Sequence, residues 1–590
     1  MNTVEHCDRW RFSLNANPGS RAGSDDGRWW LVRPAQHDAM HPKKRRSMKD
    51  TSISERDSRP RSLAGFARIG LKLCIALSLA ICATACARTD PPATDPALVK
   101  TDRGPVRGTI ESGVVRFQGI AYARPPIGAL RWQRPQPPAP WTRVHEANRP
   151  GPICAQADEH GRLAADSSED CLYLNVVAPT RPAVKARAVL VWLHGGRFSS
   201  GAGSDYDPKR WVELGDLVVV TVNSRLGVFG FFGHPDLPDS GNYGLADQQA
   251  ALRWVRDNIA AFGGDPLRVI LAGQSSGSIS VCGQLASPAA AGLFQRAILQ
   301  SGPCRLGGPG ELTAPGDGAS KLWFAREVLQ QRGRHAAGYL AEKPACADPD
   351  ALDCLRRVST TELLALNGPF HSPAYGTPLL PIDPVAALRS GRFNRVPVMQ
   401  GITRNEHRLF TPLFDFKAGS DDGPYRAQLR KAFDADRAAA IASEYPLARY
   451  GSPALAWAAM DTDYSAACPA LQNDRDLMRY VPVYAYEFAD PHPPGADEDA
   501  GFALAAYHGS ELPSLFDMGP SYAALNAEQR ELARSMIGYW SRFAANGDPN
   551  ATDAPHWPKF DGRNALSLAP DRIGPIDFAD DHRCEFWQAK

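Results

Sequence analysis

The sequence predicts an α/β fold with a mostly parallel central sheet covered by helices on both faces. Three observations carry that expectation. Short β-branched runs alternate with helical patterns along the chain, as buried parallel strands and their crossover helices do. One run leads directly into Gly273-Gln274-Ser275-Ser276-Gly277 and then into a helical pattern. Another closes on His194-Gly195-Gly196-Arg197-Phe198, one strand-helix-strand unit earlier.

The strand candidates, in chain order, are Ala188–Leu193, Leu217–Val222, Arg268–Ala272, Arg296–Leu299, Val396–Met399 and Val483–Phe488. Between the second and third, Leu245, Leu252, Val255, Ile259 and Phe262 recur at helical spacing, with Asp and Arg on the other faces. This spacing predicts a crossover helix bounded by Gly244 and by Gly263-Gly264. Ile279–Leu285 reads as the helix that follows Ser275.

The N-terminal part is organised differently. Residues 1–47 show no apolar periodicity and read as unfolded or, with Met48 as an alternative start, as untranslated. Residues 48–85 read as a signal peptide, because Leu73–Ala85 is apolar, follows several arginines and ends in small residues. A membrane span needs roughly 20 apolar residues, more than this run supplies. Ala83-Thr84-Ala85 before Cys86 suits either lipidation of Cys86 or ordinary signal cleavage, so the chain is expected to be exported: periplasmic, secreted or lipid-anchored. Residues 86–100 are Pro-rich and read as a tether, and 101–590 as one folded unit.

Composition narrows the function classes. The 590 residues carry a formal charge of +2. Residues 1–85 hold 15 Lys and Arg against 8 Asp and Glu, so the rest is net acidic and a nucleic-acid partner is not expected. No C-x-x-C or H-E-x-x-H occurs, and no metal or other cofactor is expected. Twelve cysteines are present, eight of them beyond Cys86, an even set that suits disulfides in an exported protein.

The chemistry sits on two glycine-flanked segments. A serine on a tight strand-to-helix turn needs small neighbours, and the turn aims a helix N-terminus at the charge that develops during attack; Ser275 is the candidate nucleophile. Gly195 and Gly196 let bare N–H groups approach a substrate carbonyl oxygen. With the N–H of Ser276 they form a candidate three-donor oxyanion hole.

The chain resembles the type-B carboxylesterases, the family that includes bacterial and mammalian carboxylesterases and the cholinesterases. The resemblance is carried by FQGIAYARPPIGALRWQRPQPPAPW (117–141), EDCLYLN (169–175), NSRLGVFGF (223–231), GNYGLADQQAALRWVRDNIAAFGGDP (241–266) and YWSRFAANGDPN (539–550), and it spans about 100 to 588. It implies an α/β-hydrolase fold and a serine esterase acting on small-molecule esters. The family's acid lies in a segment like GITRNEH, which implies Glu406; its base lies in one like YHGSELPSLF, which implies His508. Asp383 is the alternative acid. Ser301 matches a family serine and is a candidate support for Glu406 or His508. The resemblance also implies the disulfides Cys154–Cys171, Cys346–Cys354 and Cys468–Cys584, and it leaves Cys282 and Cys304 as buried free thiols.

The departures are informative. Gln274 and Ser276 stand where the family usually has Glu and Ala, and both side chains are expected to point away from the reacting atoms. Ser224 stands where Tyr is usual. The short loop from Cys154 to Cys171 holds no aromatic ring that could face a quaternary ammonium, which argues against a cholinesterase. Phe198, Phe229, Phe231, Phe410 and Phe414 are candidates for an apolar acyl pocket. An amide, carbamate or lactone hydrolase would use the same residues, and a non-catalytic surface protein of this fold would lack one of them.

Overall fold

Eleven strands of one sheet organise the chain. The computed structural model describes residues 95–305, 322–341, 352–411, 423–495, 501–519 and 524–588. The strands are β1 (Thr109–Glu111), β2 (Val114–Ala121), β3 (Tyr173–Pro179), β4 (Arg187–Leu193), β5 (Val218–Val222), β6 (Gly264–Gln274), β7 (Arg296–Gln300), β8 (Val398–Thr403), β9 (Val483–Phe488), β10 (Ala565–Leu568) and β11 (Ile573–Ile576). Their spatial order is β11-β10-β9-β8-β7-β6-β4-β5-β3-β2-β1. The block from β5 to β10 is parallel throughout. The pairs β5–β3, β3–β2, β2–β1 and β10–β11 are antiparallel.

Every strand expected from a β-branched run lies in the parallel block, where both faces are covered and a near-continuous apolar run is required. The flanking strands carry a weaker signal; β1 is exposed at each of its positions. Along β4, Val189, Val191 and Leu193 face one core, and Ala188, Leu190 and Trp192 face the other. The first core receives α3 (Tyr243–Asn258) and α4 (Ser276–Ala286); the second receives α1 (Lys209–Gly215) and α6 (Ala527–Asn546). Truncating a fully buried β4 side chain, as in Leu190→Ala, costs about 2–5 kcal/mol. Two further helices, α2 (Gly227–Phe231) and α5 (Arg326–Ala341), lie on the chain before and after this α3–α4 pair.

Three expectations need correction. Gly244 lies inside the first turn of α3 and does not bound it; a Cβ there would come within 2.7 Å of Arg225 O, so close packing demands the glycine. Leu98–Lys100, assigned to the tether, is a strand paired antiparallel with Pro105–Arg107, with Ala97 and Val99 buried. Cys282 and Cys304 are bonded to each other, with Cα atoms 5.4 Å apart. The pairing follows from the strand-turn-helix unit: α4, which carries Cys282, packs on β7, and Cys304 lies four residues past the end of β7.

Cys154–Cys171 and Cys468–Cys584 are bonded as the resemblance implies. Closing the 116-residue separation of the latter pair is worth about 4–5 kcal/mol in the loop-entropy account. Cys346 of the third expected pair lies outside the described residues, as do residues 1–94 with the signal peptide and Cys86. Among the described residues no helix is long and apolar enough to cross a membrane.

Candidate active site

β6 ends at Gln274, and Ser275 turns the chain into α4 with φ 56° and ψ −127°, a conformation that L residues avoid. Sterics explain the small neighbours. A Cβ on Gly277 would lie 2.0 Å from Leu193 O, so only glycine lets α4 start against the end of β4. The turn is fixed from the other side by Ser275 N–H donating to Gln300 O at 2.9 Å, from the end of β7.

The loop after β4 closes over this turn. A Cβ built on Gly195 would lie 3.1 Å from Ser275 Cβ, which puts the glycine backbone beside Ser275. Gly196 has φ +105°, and its carbonyl accepts the N–H groups of Ser199 and Ser200 at 3.0 Å each. Neither the Gly196 N–H nor the Ser276 N–H, the latter at the first position of α4, donates to another described backbone group. The Gly195 N–H reaches the Tyr206 hydroxyl at 3.4 Å. Two of the three expected donors are thus open, and the third holds a long bond that a developing oxyanion can displace.

Glu406 and His508 meet, with Nδ1 of the imidazole on Oε1 of the carboxylate. Glu406 opens the turn after β8 and is 2% exposed. Its other oxygen, Oε2, accepts from Thr403 Oγ1 at 2.6 Å, Thr403 N at 2.9 Å and Ser301 Oγ at 3.0 Å. Burial alone would raise its pKa. The His508 charge and the hydrogen bonds from His508 and Thr403 outweigh burial and hold it at about 2. Ser301 thus helps to hold Oε2 of Glu406, and Oε1 is left to His508. Asp383 is elsewhere engaged: its carboxylate caps Pro384–Arg389 by accepting Ala386 N–H.

Gln274 departs from expectation. Its side chain does not point away from the reacting atoms, because Nε2 lies 3.2 Å from His508 Nε2. A carboxylate at Nδ1 accepts only from Nδ1–H, so the neutral imidazole offers its lone pair at Nε2, and the amide must present N–H there. The bond thus selects the tautomer that a general base needs, at the nitrogen a serine proton must reach.

Two further groups were not anticipated. Glu511, three residues after His508, is 1% exposed and accepts from Gln300 Nε2 at 3.1 Å. Burial, with the Glu406 charge, pushes its carboxyl up to about 7. His407 anchors the acid's turn: its N–H donates to Thr462 Oγ1 at 3.0 Å and its Nδ1 to Asp461 Oδ2 at 2.7 Å. Adjacency to Glu406 and His508 was the only signal either carried in the sequence. Of the aromatic candidates, Phe410 lies with its ring 5.1 Å from that of His508, and Phe198 packs on Phe231 at 5.0 Å. Phe229 is buried, and Phe414 lies outside the described residues. Among the described residues, no group of three or more His, Cys, Asp or Glu side chains is placed to hold a metal ion.

Known proteins share the family and the fold of this chain. The profile described as "Carboxylesterase family" matches residues 95–587. The chain is 35% identical to para-nitrobenzyl esterase of Bacillus subtilis (strain 168), over 78% of this chain and 92% of that protein. It is 34% identical to cocaine esterase of Homo sapiens, over 83% and 90% respectively. A solved structure of PNB esterase superposes with a TM-score of 0.68 at 32% identity, covering 84% of this chain and all of the other.

Proposed function

The chain belongs to the carboxylesterase family and is a carboxylic ester hydrolase; from that premise we propose that Ser275 is its nucleophile, His508 its general base and Glu406 the acid that orients the base. The observation that carries this reading is the pairing of Glu406 with His508 Nδ1 across 102 positions of sequence, with Ser275 on a strained turn next to Gln274, whose amide reaches His508 Nε2.

Ser275 Oγ attacks the ester carbonyl while His508 Nε2 takes its proton, exchanging the Gln274 contact for the serine. Glu406 stabilises the imidazolium and holds its tautomer. The N–H groups of Gly196 and Ser276, joined by that of Gly195, receive the oxyanion; each such donor is worth about 10²–10³ in rate. His508 then protonates the departing alcohol, and water releases the acyl group from Ser275 by the same steps reversed.

The test is hydrolysis of short-chain chromogenic esters by the purified protein. Ser275→Ala and His508→Ala should each lower kcat/KM by about 10⁴-fold or more with the fold retained. Full activity in Ser275→Ala contradicts the reading. For localisation the reading adds export through residues 48–85 and lipid attachment at Cys86. Cys86→Ser should release the full-length protein from membranes; membrane association that survives the change removes the anchor.

A further inference from the structure

The rim of the site beyond the oxyanion loop carries unpaired positive charge. Arg197 follows Gly196 directly, is exposed, and has no carboxylate partner among the described residues. Two residues of chain span at most roughly 7 Å. Arg197 Cα therefore lies within that distance of Gly195, whose backbone abuts Ser275. An arginine side chain can reach from there over the bound substrate.

The same rim holds two more basic groups. The oxyanion loop is tied to α2 by Gly227 N–H donating to Phe198 O at 2.7 Å. The Val228 N–H of α2 donates to Asn367 Oδ1 at 2.8 Å, which fixes the segment Asn367–His371 against it. His371 Nδ1 donates to Gly368 O at 2.6 Å, so Nε2 is the nitrogen that would take a second proton. Arg332 of α5 lies over the Phe324 ring at 4.1 Å and donates to Pro369 O at 3.0 Å.

None of the three meets an acid among the described residues. Desolvation lowers the pKa of Arg332 with no carboxylate to offset it. Desolvation also lowers that of His371; its bond to Gly368 O opposes this, and the nearby Arg332 and Arg197 add to the lowering. Some arginines with buried side chains are matched, Arg116 by Asp207 and Arg187 by Asp216, whereas Arg296 and Arg408, like Arg332, are not. A half-buried guanidinium without a carboxylate is unfavourable unless an anion joins it. In the cleft itself, the side chain beside the nucleophile is the neutral Gln274 amide, which does not repel an anion.

We infer that Arg197, backed by Arg332 and His371, selects esters that carry a free carboxylate, such as the half-esters of dicarboxylic acids. The inference rests on the esterase reading of Ser275 and adds its substrate class. The carboxylate would bind Arg197 at the rim while the ester carbonyl reaches the N–H groups of Gly196 and Ser276.

The test compares kcat/KM for monoethyl succinate with that for diethyl succinate, followed by acid release at low ionic strength. One exposed charge pair is worth a factor of roughly 1.5 to 5, so the wild type should prefer the half-ester by about threefold or more. Arg197→Gln should abolish most of that preference, read as the ratio of the two kcat/KM values in the same preparation. Arg332→Gln, away from the oxyanion loop, should reduce it less. Raising the salt concentration should shrink it as well, because exposed charges are screened. A wild-type preference for the diester, or a half-ester preference that survives Arg197→Gln, overturns the inference and leaves the esterase reading standing. Failure to hydrolyse either ester would instead remove the esterase reading and this one together.

Discussion

Among the described residues three histidines sit on buried carboxylates, His407, His508 and His582, and the last two differ at their second nitrogen. His508 has Glu406 at Nδ1 and the neutral Gln274 amide at Nε2. His582 has Asp463 at Nδ1 at 2.6 Å and Glu487 at Nε2 at 2.7 Å. Burial lowers the pKa of His582, but the two carboxylates overcome it and raise it to about 10. His582 is therefore a fixed cation that ties β9 to the C-terminal segment. The partner of the second nitrogen decides the role: an acid there locks the proton on, whereas an amide leaves the lone pair available.

The largest effect should come from removing the one acid at His508. Glu406→Gln should keep the fold and lower kcat by about 10²–10⁴, since the imidazolium loses its stabilising charge and its tautomer is no longer fixed. Steady-state kinetics with a thermal-melt control measures it; near wild-type turnover would relocate the acid.

Next is the opposite histidine. Glu487→Gln removes half of the charge that holds His582 and takes from Arg404 its buried partner. Denaturant unfolding should show a loss of about 3 kcal/mol, while kcat/KM of the folded enzyme is unchanged. Because the folded pKa of His582 is raised, its contribution to stability is full below pH 6.5 and lost as pH rises toward 10. In Glu487→Gln that loss should be complete at a lower pH.

Glu511 sharpens the contrast by being a buried carboxyl with no ion pair among the described residues. Its folded pKa is raised from 4.5 to about 7, so its neutral form favours the folded state and stability falls as pH rises between those values. Glu511→Gln should abolish that fall, gaining on the order of 3 kcal/mol on the wild type at pH 8 relative to pH 4. Equal pH dependence in the two proteins would show that Glu511 is ionised at no cost.

The parallel block and Ser275 were legible in the sequence because both impose strict local patterns. Strands covered on two faces must be apolar throughout, and a strand-to-helix turn around a nucleophile must be small. What stayed hidden depends on contacts between distant segments. The partners of His582 lie 119 and 95 positions away, and nothing near residue 582 announces them. The Cys282–Cys304 bond required knowing that α4 lies on β7. Gln274 was read as turned away, since a residue type gives no side-chain direction at a turn whose φ is positive at the next residue. Glu406 and His508 were reached only through the family resemblance.

The smallest predicted change converts one histidine toward the other. Gln274→Glu places a second carboxylate at His508 Nε2, as Glu487 does for His582, and should move the acid limb of the kcat/KM profile to higher pH by about one unit. Activity above that limb should persist; an unmoved limb would mean that the amide does not govern the proton.

The most direct measurement of the central claim is peptide mapping after inactivation with an organophosphate ester. One adduct per chain on the peptide bearing Ser275, absent when His508 or Glu406 is replaced, is the expected result. Complete inactivation with the adduct on any other residue would contradict the assignment of Ser275 as nucleophile.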